Sequence, residues 1–239
     1  MAIKLIFGNL KGGSGKTTTA MTMALLLQEQ ARKTLLIDLD PQANVTHRMA
    51  NIFLDPVEVG NLDVYGAIEQ KDLRKGLRTL MPYLDLIPSS SALHNFPQLL
   101  TETAATPILP ALIEEIEDDY EFIIFDVSPM IDELAVNALA STDYVVAILE
   151  PTPAAIQKLN LYFNYIEEIK TNQNPSLQVL GIVASMITPI AQSQHTDFDN
   201  LSAPVKELLF ESVIPNRNEE GVHPKDNYGQ LLDEILKKL

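Results

Sequence analysis

The chain has 239 residues, of which 46% are hydrophobic, with a formal net charge of −15 and a sequence pI of about 4.6. It contains no cysteine, which excludes disulfides, thiolate zinc sites and iron–sulfur clusters and fits a reducing cytosol. The acidic balance argues against a surface that attracts nucleic acid everywhere, but it leaves room for a local basic patch or one formed by two subunits.

Short apolar runs alternate with segments of helical periodicity along the whole chain. The runs that predict strands are 3–9, 34–40, 84–90, 122–128, 144–150, 179–185 and, more weakly, 210–215. The segments that predict helices are 16–31, 44–50, 62–79, 107–118, 131–141, 154–171, 197–209 and 228–238. Most strand runs are continuously apolar, as in parallel strands that are buried on both faces. We therefore expect one α/β domain over residues 1–239, with a doubly wound, mostly parallel β-sheet flanked by helices.

The first apolar run leads directly into glycine and asparagine, which is typical of a first strand and not of a signal peptide. No apolar run approaches the length that a membrane span requires. Both observations lead us to expect a cytoplasmic protein.

The segment GNLKGGSGKTTTA at 8–20 predicts a phosphate-binding loop between a strand and a helix. Glycines let the backbone approach a phosphate closely, and the N-terminus of the next helix offers unpaired N–H groups. The ordinary pattern for such a loop is Gly, four residues, then Gly-Lys-Ser/Thr, and Gly15-Lys16-Thr17 matches its end. Lys16 would therefore reach the β- and γ-phosphates, and the Thr17 hydroxyl would bind Mg²⁺. The beginning does not fit, because the first glycine of the pattern falls on Leu10 and a second lysine, Lys11, follows. The residues between the lysines, which would cradle the phosphates, are Gly12, Gly13, Ser14 and Gly15.

Acidic residues end two of the predicted strands. Asp38 and Asp40 follow one buried run, and Asp126 ends another. A carboxylate at the tip of a buried strand occupies the place where P-loop enzymes hold Mg²⁺ or its waters. The alternative is a helix cap or a turn acid, and the roles of Asp38 and Asp40 could be exchanged.

Three motifs together are distinctive. KGGSGKTTT at 11–19, LLIDLDPQAN at 35–44 and IIFDVSP at 123–129 resemble the deviant Walker A ATPases, and among these the ParA type that partitions plasmids and chromosomes. LDLIPSS at 84–90 and SVIPNRN at 212–218 also resemble ParA segments, so the resemblance covers most of the chain. With no DNA-binding region before the first strand, the chain resembles the short ParA form.

The resemblance implies an ATP-dependent homodimer in which two subunits close face to face around two nucleotides. Lys11 would cross the interface to the partner's phosphates, Lys16 would serve its own nucleotide, and Asn9 would face the interface near the γ-phosphate. The chemistry agrees, because phosphoryl transfer needs cations around the γ-phosphate and the loop contains no arginine. A lysine from the partner would do the work of an arginine finger, as a point charge. The alternative for Lys11 is a solvated surface lysine.

The same resemblance distributes the remaining roles. It implies that Thr17 binds Mg²⁺, that Thr18 lies near the α-phosphate, and that Asp126 is the Walker B acid. It further implies that Asp38 holds the water shell of the metal and that Asp40 orients the attacking water.

The segment IPNRN is similar to the place where family members bind adenine, which makes Pro215 and Asn216 candidates and Met186 a weaker one. The order Pro215-Asn216-Arg217 departs from the usual Pro-Arg-Asn. A proline turn that ends a strand is the alternative.

The resemblance also implies non-specific DNA binding by the ATP-bound dimer, through basic residues in the C-terminal third. Here 187–202 contains no lysine or arginine, which weakens this expectation. The candidate cations there are Arg217, Lys225, Lys237 and Lys238. A second candidate is one face of a predicted helix, with the alternative of a solvated face, formed by Lys71, Arg74, Lys75 and Arg78.

The C-terminal segment 228–238 has an apolar stripe, and the related MinD proteins end in a membrane-binding helix. Packing onto the sheet is the simpler interpretation, because acidic residues offset the lysines and no bulky aromatic is present in the stripe. We expect a partitioning ATPase that is stimulated by a ParB-type partner. The alternatives are a related ATPase that positions a protein cargo or acts at a membrane, and a nucleotide switch without motor activity.

Overall fold

The computed structural model describes residues 1–53, 62–102, 107–187, 201–216 and 224–239. The strands are β1 (Ile3–Gly8), β2 (Thr34–Leu39), β3 (Arg78–Met81), β4 (Leu84–Ile87), β5 (Phe122–Val127), β6 (Tyr144–Leu149), β7 (Gln178–Ile187) and β8 (Leu209–Pro215). The helices are α1 (Lys16–Glu29), α2 (Asn44–Phe53), α3 (Val64–Glu69), α4 (Phe96–Glu102), α5 (Leu109–Glu114), α6 (Glu133–Ala140), α7 (Pro153–Asn172), α8 (Ala203–Glu207) and α9 (Pro224–Lys238). Short 3-10 turns occupy Leu73–Gly76, Ser91–Asn95 and Glu117–Asp119.

The described strands form one sheet in the order β3-β4-β2-β5-β1-β6-β7-β8. All neighbouring pairs are parallel except β3 and β4, which are antiparallel. Every residue of β2 and β5 is buried, because both faces of the central sheet are covered. The predicted doubly wound, mostly parallel sheet with flanking helices is confirmed.

Successive residues of a strand point to opposite layers of the core. Ile37 and Phe125 belong to the layer that packs against α3 to α7, whereas Leu36 and Ile124 belong to the layer under α1, α2 and α9. The alternation follows from the two-residue period of a strand, and it explains why both sets of positions are apolar.

The C-terminal helix α9 packs onto the sheet. Leu231, Leu232 and Ile235 are buried in the layer that also contains α1, so this apolar stripe is covered by the chain's own core. The carboxylate of Glu234 accepts hydrogen bonds from the backbone N–H groups of Glu211 (2.8 Å) and Ser212 (2.9 Å) in the edge strand β8. No helix of the described part of the chain is long and apolar enough to cross a membrane.

The prediction of one helix over 62–79 is wrong. Helix α3 ends at Glu69, Lys71 has a left-handed φ of 52°, and the chain continues through a 3-10 turn into β3. A Cβ at Gly76 would lie 3.1 Å from Cγ2 of Ile87, so the 3-10 turn packs closely against strand β4 of the sheet. Strand β3 and helix α4 were not predicted.

The four cations of this segment therefore do not share one helical face. Arg74 Nη2 donates to the carbonyl oxygen of Glu115 (2.5 Å) and to Asp119 Oδ2 (3.3 Å), while Lys75 Nζ donates to Gln70 Oε1 (3.0 Å). Helix α8 covers only part of the predicted 197–209 segment, whose first residues lie outside the described residues, as does Arg217.

Candidate functional site

The predicted site residues lie where neighbouring parallel strands end. β1 pairs with β5 on one side and β6 on the other, and β2 pairs with the far side of β5. Asp38 and Asp126 are register partners on β2 and β5. Because carboxyl ends of parallel strands meet at one edge of a sheet, the phosphate loop after β1 lies beside both acids.

The loop has the backbone that its glycines allow. Gly13 and Gly15 have φ values of 74° and 97°, which a residue with a Cβ rarely adopts. A Cβ at Gly12, Gly13 or Gly15 would meet no atom within 4 Å, so this side of the loop is open to a ligand. No side chain caps the start of α1 after Gly15, which leaves its first N–H groups available to an anion.

Lys16 points inward at the start of α1. Its side chain is 6% exposed, and Nζ donates to the carbonyl oxygen of Lys11 (3.3 Å). Burial lowers the pKa of Lys16, while the charges of Asp126 and Asp40 oppose this shift. Among the described residues Lys16 has no ion pair within 4 Å, and a buried ammonium of this kind is a ready partner for an anionic ligand.

Thr17 and Asp126 form the part of the site that suits a divalent cation. Thr17 Oγ1 donates to Asp126 Oδ2 (2.9 Å), and within the described residues Asp126 Oδ1 is buried without a hydrogen-bond partner. Burial, followed by the charge of Asp38, raises the pKa of Asp126 to about 7. An orphaned carboxylate oxygen beside a hydroxyl is a donor set that Mg²⁺ prefers, so these residues fit the metal that their sequence predicts.

Asp38 is held by hydrogen bonds from its own chain. Thr46 donates to Asp38 Oδ2 through its backbone N (2.9 Å) and its hydroxyl (2.8 Å), and Asp40 N donates to Asp38 Oδ1 (3.1 Å). Burial nevertheless raises the pKa of Asp38 to about 6 against these bonds. Ser89 N donates to Thr46 Oγ1 (2.8 Å), which ties the end of β4 to the start of α2.

Asp40 has a different environment from Asp38. It is 7% exposed, its Oδ1 accepts a hydrogen bond from Gln42 N (2.9 Å), and its carbonyl oxygen accepts one from Ser89 Oγ (2.8 Å). Asp38 is thus fully buried and Asp40 slightly more exposed, and their separate roles stay predictions.

Asn9 and Lys11, at the start of the phosphate loop, are joined by a hydrogen bond. Asn9 is buried, donates through Nδ2 to the carbonyl oxygen of Ile148, and accepts from Lys11 N through Oδ1 (2.9 Å). Lys11 Nζ forms a half-buried ion pair with Glu150, the first residue after β6. Sequence reasoning missed Glu150, and Asn9 fixes the lysine's backbone within this subunit. The roles of Asn9 and Lys11 towards a partner subunit stay predictions.

One cavity of about 440 Å³ unites the loop with the predicted adenine region. Pro215 and Asn216 line it as the phosphate loop does, together with Met186, which has a left-handed φ of 59°. Lys11 and the three acids are not among its lining residues. The described residues that line it are Gly13, Ser14, Gly15, Lys16, Thr17, Thr18, Asn44, Arg48, Ser185, Met186, Ile214, Pro215, Asn216 and Tyr228.

Several of these lining residues were missed by sequence reasoning. Ser185 Oγ donates to the carbonyl oxygen of Ser14 (2.8 Å), so β7 supports the loop from below. Tyr228 of α9 is buried beside Thr19, with 3.4 Å between their hydroxyl oxygens. Asn44 and Arg48 come from α2. Only the strand-end position of Ser185 could have been found from the sequence.

The comparisons with known proteins agree with this geometry. The family model described as AAA domain matches residues 3–179. The chromosome-partitioning ATPase Soj of Thermus thermophilus is 31% identical over 217 residues, which are 89% of this chain and 80% of that protein. The chain belongs to the ParA/Soj family.

Solved structures with this fold include nucleotide complexes. A Borrelia burgdorferi B31 protein assigned to plasmid partition, bound to AMPPNP, has a TM-score of 0.80 at 26% identity, covering 100% of this chain and 99% of that one. Cobyrinic acid a,c-diamide synthase of Mycobacterium smegmatis, with ADP and magnesium, has a TM-score of 0.85 at 24% identity, covering 99% and 95%. The second likeness shows that the ParA/Soj fold is shared with a different activity, so the fold alone does not give the function.

Proposed function

We propose that this chain is a Mg²⁺-dependent ATPase that dimerises when it binds ATP and that drives the partition of plasmids or chromosomes in the cytoplasm of a bacterial or archaeal cell. The observation that carries the proposal is the convergence of Lys16, Thr17 and Asp126 under an open glycine loop. Membership of the ParA/Soj family supports the partitioning role.

The residues of the loop would bind the nucleotide. The free N–H groups at the start of α1 and the Lys16 ammonium would hold the β- and γ-phosphates. Thr17 and Asp126 would hold Mg²⁺, which when bound neutralises the charge that develops on the phosphates. Pro215 and Asn216, which line the same cavity as the loop, would contact the adenine.

Two residues would act on the γ-phosphate. Gln42 N donates to Oδ1 of Asp40, which leaves Oδ2 for the attacking water. Through this oxygen Asp40 would accept a hydrogen bond from the water and orient it. Lys11 would leave Glu150 and reach the phosphates of the partner subunit, so that the site is complete only in the dimer. ATP binding and dimerisation would then favour each other by mass action.

The test is ATP hydrolysis and light scattering on the full chain. We expect the wild type to release phosphate in a Mg²⁺-dependent reaction and to double its mass with ATP but not with ADP. Lys16→Ala should lose nucleotide binding. Lys11→Ala should bind ATP and remain a monomer, whereas a Lys11→Ala protein that still dimerises fully would contradict the role in the partner's site.

The partitioning role would also require DNA and a ParB-type partner. We expect the ATP-bound dimer to retard duplex DNA of arbitrary sequence, with an affinity that falls steeply with salt. A gel shift over a salt series, with ADP as the control, tests this. Absence of any ATP-dependent shift at low salt would contradict DNA binding.

A related ATPase that positions a protein cargo is the second candidate. It is favoured by the net charge of −15 and by the carboxylate, carbonyl and amide contacts that already engage Arg74 and Lys75. The partitioning ATPase and the cargo-positioning ATPase would share the same nucleotide site, so only DNA binding separates them. An ATP-dependent dimer that does not bind DNA would favour the second candidate.

A further inference from the structure

Arg48 is a cation of the nucleotide cavity that no motif of the chain pointed to. It lies on α2, and its Nη1 donates to Thr18 Oγ1 at 3.0 Å. Among the described residues that line the cavity, Lys16 and Arg48 are the cations. The two lie on different elements, since Lys16 begins α1 and Arg48 belongs to α2.

The helix that carries Arg48 is fixed to the acidic side of the site. Thr46 is buried and bonded twice to Asp38, and Val45 and Met49 are buried in the core. Asn44 and Arg48 are four residues apart, so they share one face of α2, and both line the cavity. The anchored face directs the arginine towards the loop, while the guanidinium itself stays exposed and able to adjust.

The hydrogen bond to Thr18 indicates which part of the nucleotide the Arg48 guanidinium would contact. Thr18 is the second residue after Lys16 in the first turn of α1, beyond the Thr17 hydroxyl that contacts Asp126. Along a loop of this kind, Lys16 serves the β- and γ-phosphates, and the resemblance to the ParA type implies that Thr18 lies near the α-phosphate. A guanidinium has five N–H donors, and one contact with Thr18 leaves others for a phosphate oxygen.

We propose that Arg48 binds the α-phosphate of the nucleotide from α2, with Thr18 holding the guanidinium in place before the nucleotide enters. The proposal rests on the proposed function, because it assumes that the cavity takes ATP and ADP. Since the α-phosphate is common to both nucleotides, Arg48 strengthens the binding of both to the same degree. It differs in this from Lys11, whose predicted contact depends on the ATP-bound dimer.

The experiment measures the Kd of ADP and of AMPPNP, each with Mg²⁺, by calorimetry on the full chain. For Arg48→Ala we expect both Kd values to rise by about tenfold, the size of a lost charge-assisted hydrogen bond to phosphate. Arg48→Lys keeps the charge without the planar fork, so it should lose only about threefold. Lys237→Ala, which removes a positive charge from the last turn of α9, is the matched control and should bind as the wild type does.

The measured Kd values distinguish a wrong assignment of Arg48 from a wrong proposed function. Equal Kd values for wild type and Arg48→Ala with ADP would overturn the assignment and leave the nucleotide site intact. Weaker AMPPNP binding with unchanged ADP binding would place the guanidinium at the γ-phosphate and would also overturn it. A wild type that binds neither nucleotide would contradict the proposed function and this proposal with it. The melting temperature without nucleotide should be the same for Arg48→Ala and wild type, which checks the fold.

Discussion

Lys11 Nζ is bonded to the carboxylate of Glu150, 139 residues further along the chain. The two residues meet because β1 and β6 are neighbours in the sheet and both end at the same edge. The lysine that is predicted to reach a partner subunit is therefore held within its own subunit in this structure. To reach the phosphates bound by a partner subunit, Lys11 would have to break its ion pair with Glu150.

Glu150→Gln should therefore make the ATP-dependent dimer form more easily. The pair is partly exposed, so its loss is worth up to about 1 kcal/mol, or about a fivefold lower ATP concentration at half-maximal dimerisation. Light scattering against ATP concentration measures this. Glu121→Gln, which removes an exposed carboxylate at the opposite end of β5, is the control and should not change the midpoint. A higher midpoint for Glu150→Gln would show that Glu150 supports the dimer.

Asp40→Ala should separate nucleotide binding from hydrolysis. Its carboxylate is bonded to the backbone of its own loop, so its removal leaves Lys16 and the Thr17–Asp126 pair in place. We expect ATP to bind with normal affinity and turnover to fall by about a hundredfold, as for a lost water-orienting group. Phosphate release beside calorimetric ATP binding gives both quantities. Turnover near the wild-type rate would assign water positioning to another residue.

The nucleotide-free chain should be more stable at mildly acidic pH than at alkaline pH. The pKa values of Asp126 (about 7) and Asp38 (about 6) lie above the value of 3.8 for a free aspartate. The folded state thus favours the protonated carboxyls, and their contribution to the free energy of unfolding is lost as pH rises through 6 and 7. For Asp126 this contribution is at most about 4 kcal/mol, at about 1.4 kcal/mol per pH unit.

Thermal melting between about pH 5 and pH 8 measures this effect. Asp126→Asn resembles the protonated carboxyl, so its melting temperature should fall less over this range than that of the wild type. Asp233→Asn changes an exposed carboxyl on α9 and serves as the control. Parallel curves for Asp126→Asn and wild type would show that Asp126 does not titrate in this range.

Gly8→Ala should destabilise the fold at the entrance to the phosphate loop. A Cβ at Gly8 would lie 1.9 Å from the hydroxyl oxygen of Tyr162, a buried residue of α7. Such overpacking costs about 1–3 kcal/mol, which denaturant unfolding measures. Tyr162→Phe removes the nearest atom, so the double variant should recover part of the loss. Full stability of Gly8→Ala alone would mean that α7 can move away from β1.

The sequence predicts where four candidate site residues lie because each is tied to a local pattern, and the roles of these residues stay predictions. A glycine turn before a helix fixes Lys16 and Thr17, and an apolar run that ends in an acid fixes Asp38 and Asp126 at strand tips. The register between β2 and β5 then places these two acids side by side. The local patterns need no knowledge of the strand order, whereas the meeting of the two acids requires β2 and β5 to be neighbours.

The contacts that were missed depend on that order. Glu150 follows a strand like other acids, and only the pairing of β6 with β1 makes it the partner of Lys11. Arg48 is one of several cations in the sequence, and only the anchoring of α2 through Thr46 brings it to the cavity. The helix predicted over 62–79 ends at Glu69, and the turn that follows packs Gly76 against Ile87 of β4, a contact that helical periodicity does not contain.

The hydrogen bonds from Glu211 and Ser212 to Glu234 have a consequence for how molecules of this chain can associate. Among the described strands β8 is the outermost on its side of the sheet, and unpaired N–H groups on such a strand can pair with a strand from another molecule. The carboxylate of α9 occupies these two donors and presents a negative charge in their place. At these positions helix α9 blocks the addition of a strand from another molecule to the sheet.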